Sequence, residues 1–460
     1  MDIMFVNLMN FIEGSHPRHA HPPMDIGYSA TLLNRNGHNC KLVEIIKDSD
    51  EIGLLNHLKK NNIDLIVVKP TLETDFNFFR KLRAIEETCL LVVGPAVSTN
   101  PSMFVNENNY VDFGVVGEFE EKLVDIVRFL ENNERDSIKK IGGLCWWDKR
   151  RKKLFIKKSK ITAKHSDMLI SYNIFPDVYT FWYPIKMRKR VSPGFVLSSR
   201  GCPFDCIFCS PVTRVSYGKS YRVRDVKKVV DEIESLRKRG INFVYFLDDC
   251  FGVDKKYAKD LCKEIIRRKI KISWAVQTRV DCVDRNILKL MKEAGCTTLC
   301  FGIESGSDRV LSFLKKRTTV KKIRHYVNLA KKFGFLVTGF FIIGTPFETV
   351  EDINKSIKFA KELRLDAIQV HFFTPYPGSN SYETWGGDYF FGNKFSPYIS
   401  LNFSYKSLEK LQKMFYRKFY SSPDFVLRYI KNSLFYVLFN PEKELKRFFS
   451  FFKFVILENK

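Results

Sequence analysis

The chain is expected to fall in the α/β class, with two parallel sheets in succession and a helical tail. Three observations carry that expectation. Residues 1–140 hold five short apolar runs separated by helical patterns. Residues 191–400 hold six more strand-like runs alternating with helical patterns. Residues 401–460 keep apolar residues at helical spacing with no strand-like run.

In the first segment the strand-like runs are 3–8, 39–45, 63–68, 89–95 and 110–116. They are short and mostly apolar, and five such strands alternating with helices imply a parallel sheet covered on both faces. A Rossmann-like parallel sheet follows, and such sheets bind ligands at the carboxyl ends of their strands. Three turns sit there: 22–28, 94–101 with Gly94, and 117–120 with Gly117 and Glu118. βα turns need Gly and Pro in any case, so these turns alone name no ligand. Residues 141–190 read as a connector. It holds a hairpin over 144–156 with a basic tip at 149–153, and Pro176, Pro184 and, just past it, Pro193 are expected to interrupt regular structure.

In the second segment the strands are expected at 195–200, 243–247, 272–279, 298–306, 336–344 and 367–373. Asp225 is a good N-cap for a helix whose apolar face is Val226, Val229, Val230, Ile233 and Leu236. Six such units make a partial (β/α)6 TIM-type barrel, whose site lies at the carboxyl ends of the strands. Asp248, Asp249, Gln277, Arg279, Glu304, Ser305 and His371 gather at those ends.

The loop leaving the first barrel strand reads Gly201-Cys202-Pro203-Phe204-Asp205-Cys206-Ile207-Phe208-Cys209. Three thiols in C-x3-C-x2-C spacing suit a four-iron cluster with one iron left without a protein ligand. Chance spacing of core cysteines is one alternative. A structural zinc site is another, but zinc favours two cysteine pairs and no second C-x2-C pair exists. Cys250, Cys282, Cys296 and Cys300 do not form a ligand pattern and read as buried thiols.

The cysteine motif resembles the signature of radical S-adenosylmethionine (SAM) enzymes, and the domain order resembles the branch with an N-terminal cobalamin-binding domain. The resemblance covers about residues 1–420. It implies a [4Fe-4S] cluster on Cys202, Cys206 and Cys209, with SAM on the open iron. It places SAM contacts at Arg279, Glu304, Ser305 and Gly344. It places cobalamin at Gly94, Gly117 and Glu118. None of the eight histidines follows an aspartate by two residues. The Asp-x-His-x2-Gly motif that supplies a lower axial ligand is therefore absent, and the resemblance implies cobalamin held without histidine. His16, His19 and His21 read as a polar loop.

The N-terminal domain has only Cys40 and Cys89. That argues against methylthiotransferases, which resemble this barrel but carry three further cluster cysteines. The branch implies methylation of an unactivated carbon, or a cyclisation or rearrangement without methyl transfer. Either requires an electron donor such as flavodoxin or ferredoxin.

Composition bounds the rest. The chain has 460 residues and a net charge of +25. Such charge favours anionic partners, yet the Lys-rich residues are scattered and no nucleic-acid module appears. No run is long and apolar enough for a membrane span, and the first residues do not read as a signal peptide. A cytoplasmic protein with reduced thiols is expected. The aromatic, basic tail can pack on the barrel or lie on an anionic membrane at the inner face, and suggests a small-molecule or lipid-like substrate.

Replacing Cys206 with Ala is expected to abolish iron loading and SAM cleavage together. Retained 5′-deoxyadenosine formation, followed by chromatography, would overturn the cluster assignment.

Overall fold

A computed structural model describes residues 1–9, 21–46, 48–85, 88–159, 170–175, 193–209, 216, 218, 220–385 and 400–437. Five parallel strands open the first sheet: β1 (Asp2–Leu8), β2 (Asn39–Ile45), β3 (Leu65–Lys69), β4 (Cys89–Val92) and β5 (Phe113–Val115). Alternation along β1 sends its apolar residues to both faces of the sheet. Met4 and Val6 face Phe78, Phe79 and Leu82 of the helix Phe76–Ile85. Ile3 and Phe5 face Ile26, Ala30 and Leu33 of one helix and Leu123, Ile126 and Val127 of another on the opposite side.

The hairpin assigned to the connector joins this sheet. Strands β6 (Leu144–Asp148) and β7 (Lys153–Ile156) add antiparallel to β5, giving the order β2-β1-β3-β4-β5-β6-β7. Asp148 closes its turn by accepting from the backbone N–H groups of Arg150 and Arg151. Trp146 stacks on Phe155 across the pair at 5.7 Å.

The second sheet runs β15-β14-β13-β12-β11-β8, parallel throughout. Its strands are β8 (Pro193–Val196), β11 (Phe243–Phe246), β12 (Ser273–Thr278), β13 (Cys296–Glu304), β14 (Leu336–Ile343) and β15 (Ala367–Phe372). Short strands β9 (Ser199–Arg200) and β10 (Arg222–Val223) pair antiparallel beside it. The outer helices start where a side chain can cap them: Asp225, Asp254, Asp284, Thr319 and Thr349 each accept from the N–H three residues on. This is the partial barrel the sequence predicts.

The tail helix Tyr405–Tyr420 covers the free edge of β15. Tyr416 and Tyr420 hydroxyls accept from the Val370 and Ile368 N–H groups, and Gln412 donates to Val370 O. Side chains thus take the place of a seventh strand on an edge that would otherwise be bare. Phe415 and Phe419 are buried beneath, and Phe425 and Tyr429 of the next helix, Pro423–Val437, extend the contact. Ile430 of the same helix is exposed. The aromatic run 448–454 and both His16 and His19 lie outside the described residues. No helix among the described residues is long and apolar enough to cross a membrane.

The turn after β14 is held by Glu348, whose carboxylate accepts from Gly344 N–H at 2.5 Å and Thr345 N–H at 3.1 Å. Burial pushes its pKa up to about 8.

Two expectations follow. Phe415→Ala should cost about 3–5 kcal/mol in urea unfolding, because the side chain is fully buried. A carboxyl raised from 4.5 to about 8 stabilises the fold fully below its unfolded pKa and loses that contribution as pH rises through 8. Glu348→Gln should therefore flatten the fall of the urea midpoint between about pH 4.5 and 8; an unchanged slope there would count against the buried neutral carboxyl.

Candidate active site

The cysteine loop is irregular and is positioned by two carboxylates at the end of β11. Asp248 accepts from Ser198 N–H at 2.7 Å, Ser198 Oγ at 2.5 Å and Ser199 Oγ at 2.6 Å. It is fully buried, and burial lifts its pKa to about 6 against those hydrogen bonds. Asp249 accepts from Gly201 N–H at 2.8 Å. Gly201 has φ 83°, and a Cβ there would stand 2.3 Å from Ser220 O. The turn that starts the loop therefore requires glycine.

Cys206 is buried, while Cys202 and Cys209 are half-buried. Burial raises the Cys206 thiol pKa, and Lys316 and Arg279 oppose that rise. Arg279 Nη1 lies 3.6 Å from Cys206 Sγ. Its other nitrogens are held by Asp281 at 2.9 and 2.8 Å and by Lys316 O at 2.7 Å, and its guanidinium stacks 4.0 Å over Phe204. Two buried cations thus stand beside Cys206, where they oppose the rise of its pKa and would offset the negative charge of an iron–sulfur cluster. Among the described residues no group of three His, Cys, Asp or Glu side chains is gathered closely enough to hold a metal ion, and the Cys202 thiol is turned to Cys250; the cluster on Cys202, Cys206 and Cys209 rests on the motif.

Glu304 ends β13 at φ 64° where the register with β14 slips. Such a bulge re-aims a side chain. Here the carboxylate meets Lys316 Nζ at 2.6 Å. Burial opposes the Lys316 charge, but Glu304 and Cys206 hold its pKa above the ordinary value. Lys316 is the residue that sequence reasoning missed: Leu314-Lys315-Lys316-Arg317 reads as a solvated run, and nothing local marks one lysine as buried.

The remaining candidates divide. Arg279, Glu304 and Cys206 come together around Lys316. Gly344 lies in the Glu348-held turn at φ 87°. Ser305 turns into the fold, with Oγ 3.1 Å from Ser356 Oγ and accepting from Ser307 N–H. Gln277 donates to Asp248 O, and His371 packs edge-on to Phe340 at 6.5 Å. Cys250 lies beside Cys202 with its Sγ 3.8 Å from Cys282 Sγ, and all eleven cysteines are free.

At the carboxyl end of the first sheet, Gly94 has φ 96° and Gly117 φ 84°. A Cβ on Gly117 would find nothing nearer than 3.8 Å, so the backbone there is open to close approach. At Gly94 the Lys69 side chain lies over the backbone, 3.0 Å from where a Cβ would stand. The Glu118 side chain points to the second sheet, meeting Arg222 at 2.8 Å and Arg200 at 3.2 Å. Lys69 and Asp25 form a half-buried ion pair at 2.7 Å on the same edge.

Comparison with known proteins agrees with this geometry. The radical SAM superfamily matches residues 196–360. An uncharacterized methyltransferase of Pyrococcus horikoshii is 33% identical over 369 residues, covering 79% of this chain and 78% of that protein. An anaerobic magnesium-protoporphyrin IX monomethyl ester cyclase of Cereibacter sphaeroides is 26% identical over 392 residues, covering 82% of this chain and 62% of that one. Among solved structures, the radical SAM methyltransferase TsrM of Kitasatospora setae, with cobalamin and a [4Fe-4S] cluster bound, superposes with TM-score 0.68 at 21% identity, covering 83% of this chain and 74% of that one. At that identity the likeness is one of fold. The thiol loop, the barrel that carries it and a relative matched over most of both lengths together place this chain in the radical SAM superfamily.

Proposed function

We propose that the chain is a cobalamin-dependent radical SAM methyltransferase acting on an unactivated carbon of a small-molecule or lipid-like substrate. One observation carries the reading: the Gly117–Glu118 turn at the carboxyl end of the first sheet meets Arg200, two residues before Cys202. Ligand edges of both sheets thus converge on one place. The Pyrococcus relative's description as a methyltransferase and the cobalamin of the TsrM structure support it.

In this reading residues 1–140 hold cobalamin, through the backbone at Gly94, Gly117 and Glu118, and residues 191–400 hold the cluster and SAM. Together these groups supply the radical and the methyl group when bound. The chain's own part is positional and electrostatic. Cys202, Cys206 and Cys209 fix the cluster, and Arg279 and Lys316 offset its charge. Arg279 and Glu304 are suited to the carboxylate and amino or ribose groups of SAM, with the Gly344 turn beside its adenine. The electron donor is flavodoxin- or ferredoxin-like, and the tail beyond 437 is the segment suited to an anionic membrane surface.

The Cereibacter relative, described as a cyclase, supports a second reading without methyl transfer. Anaerobic reconstitution with iron, sulfide and hydroxocobalamin separates the two. Methyl transfer requires about one cobalt beside about four irons per chain, and a product heavier by one methyl group. Iron loading without cobalt would remove methylation.

A further inference from the structure

Two arginines on the strand pair beside the cluster loop, and a third just after it, reach the first sheet's side of the boundary. Arg200 and Arg222 are register partners across β9 and β10. Arg222 grips Glu118 through both Nη atoms, each at 2.8 Å. Arg200 Nη1 shares the same carboxylate at 3.2 Å. Arg200 Nη2 lies 2.5 Å from Glu120 Oε1, an ionic contact off the hydrogen-bond axis. The third, Arg224, donates to Tyr28 Oη at 2.8 Å and to Glu232 at 2.7 Å, and is completely buried.

The two parts of this network differ in what they touch. Arg224 joins Tyr28, in the middle of the helix Met24–Arg35, to Glu232 on an outer barrel helix. It fastens the two sheets without touching Glu118 or Glu120, and also donates to Leu197 O at 2.8 Å. Arg200 and Arg222 hold Glu118, which directly follows Gly117, while Gly201 alone separates Arg200 from Cys202. A buried ion pair is a poor source of net stability, since desolvation offsets much of the attraction. What a forked arginine–carboxylate pair adds is geometry: two parallel bonds fix distance and plane.

We propose that Glu118 and Glu120, held by Arg222 and Arg200, form a clasp that sets the separation between the ligand edge of the first sheet and the cluster loop. The clasp rests on the cobalamin reading above. Its four residues are positioning residues: they fix where the methyl-bearing group stands relative to the radical source, a distance on which transfer depends steeply, since a misplacement of about 1 Å can cost about 100-fold in rate.

The test uses the full chain reconstituted with iron, sulfide and hydroxocobalamin, comparing wild type with Arg222→Gln and Arg222→Lys. Iron and cobalt per chain are measured. The magnetic interaction between reduced cluster and cobalt(II) is then read from electron paramagnetic resonance. Both variants should load as wild type does, because Arg224 still fastens the boundary. The interaction should change roughly twofold in Arg222→Gln, and less in Arg222→Lys, which keeps the charge but loses the fork. Arg222→Lys also serves should the glutamine variant fail to fold. Loaded variants with a wild-type interaction overturn the clasp and leave the cobalamin reading standing. Wild-type chain that loads iron but no cobalt overturns both.

Discussion

The site depends on carboxylates placed where one strand ends. The loop bearing the three cysteines has no ladder of its own, so its path has to be set from outside. Asp248 does this by collecting three donors from Ser198 and Ser199, and Asp249 by taking the Gly201 N–H. A buried carboxylate is costly without such partners. Here the donors and the acceptor need one another, so the end of β8 and the end of β11 are locked together. The position of Cys202 follows from that lock, and so does that of Arg200, the residue through which the first sheet is met.

Charge is organised by burial rather than by total. The net charge of +25 is spread over a Lys-rich surface. The cations that matter to the site are Arg279, Lys316, Arg200, Arg222 and Arg224, each no more than 6% exposed. In a weakly screened interior each acts on specific neighbours: two on the thiols and Glu304, three on the boundary. A surface lysine, screened by salt, does neither.

Much of the fold was legible because its signals are local. Each barrel strand is a short apolar run, and helix starts carry Asp or Thr caps within three residues of the N–H they satisfy. The thiol motif spans eight residues and was equally legible. What escaped are pairings over long separations. Lys316 finds Glu304 only because β13 bulges and returns it to the cluster side. Glu118 and Arg222 lie 104 positions apart, and neither looks unusual in its own stretch. The hairpin at 144–156 was visible, but its pairing with β5 was not, because an edge strand carries no mark of which sheet it will extend. Ser305 was placed with its neighbour Glu304 by motif, yet alternation at the strand end sends the two side chains to different surroundings.

The helix Tyr405–Tyr420 has a consequence for how the protein is made. Its tyrosines and Gln412 satisfy backbone groups of β15, and its Phe415 and Phe419 finish the barrel's hydrophobic core. Synthesis runs from the N-terminus and folding follows it. While residues 367–372 are emerging, their partners at 412–420 do not yet exist on the ribosome. The nascent barrel must wait with one raw edge showing, at the stage when the thiols of 202–209 are already out. Edge closure is therefore among the last steps of folding, delayed by the time needed to translate and thread the last helices through the exit tunnel.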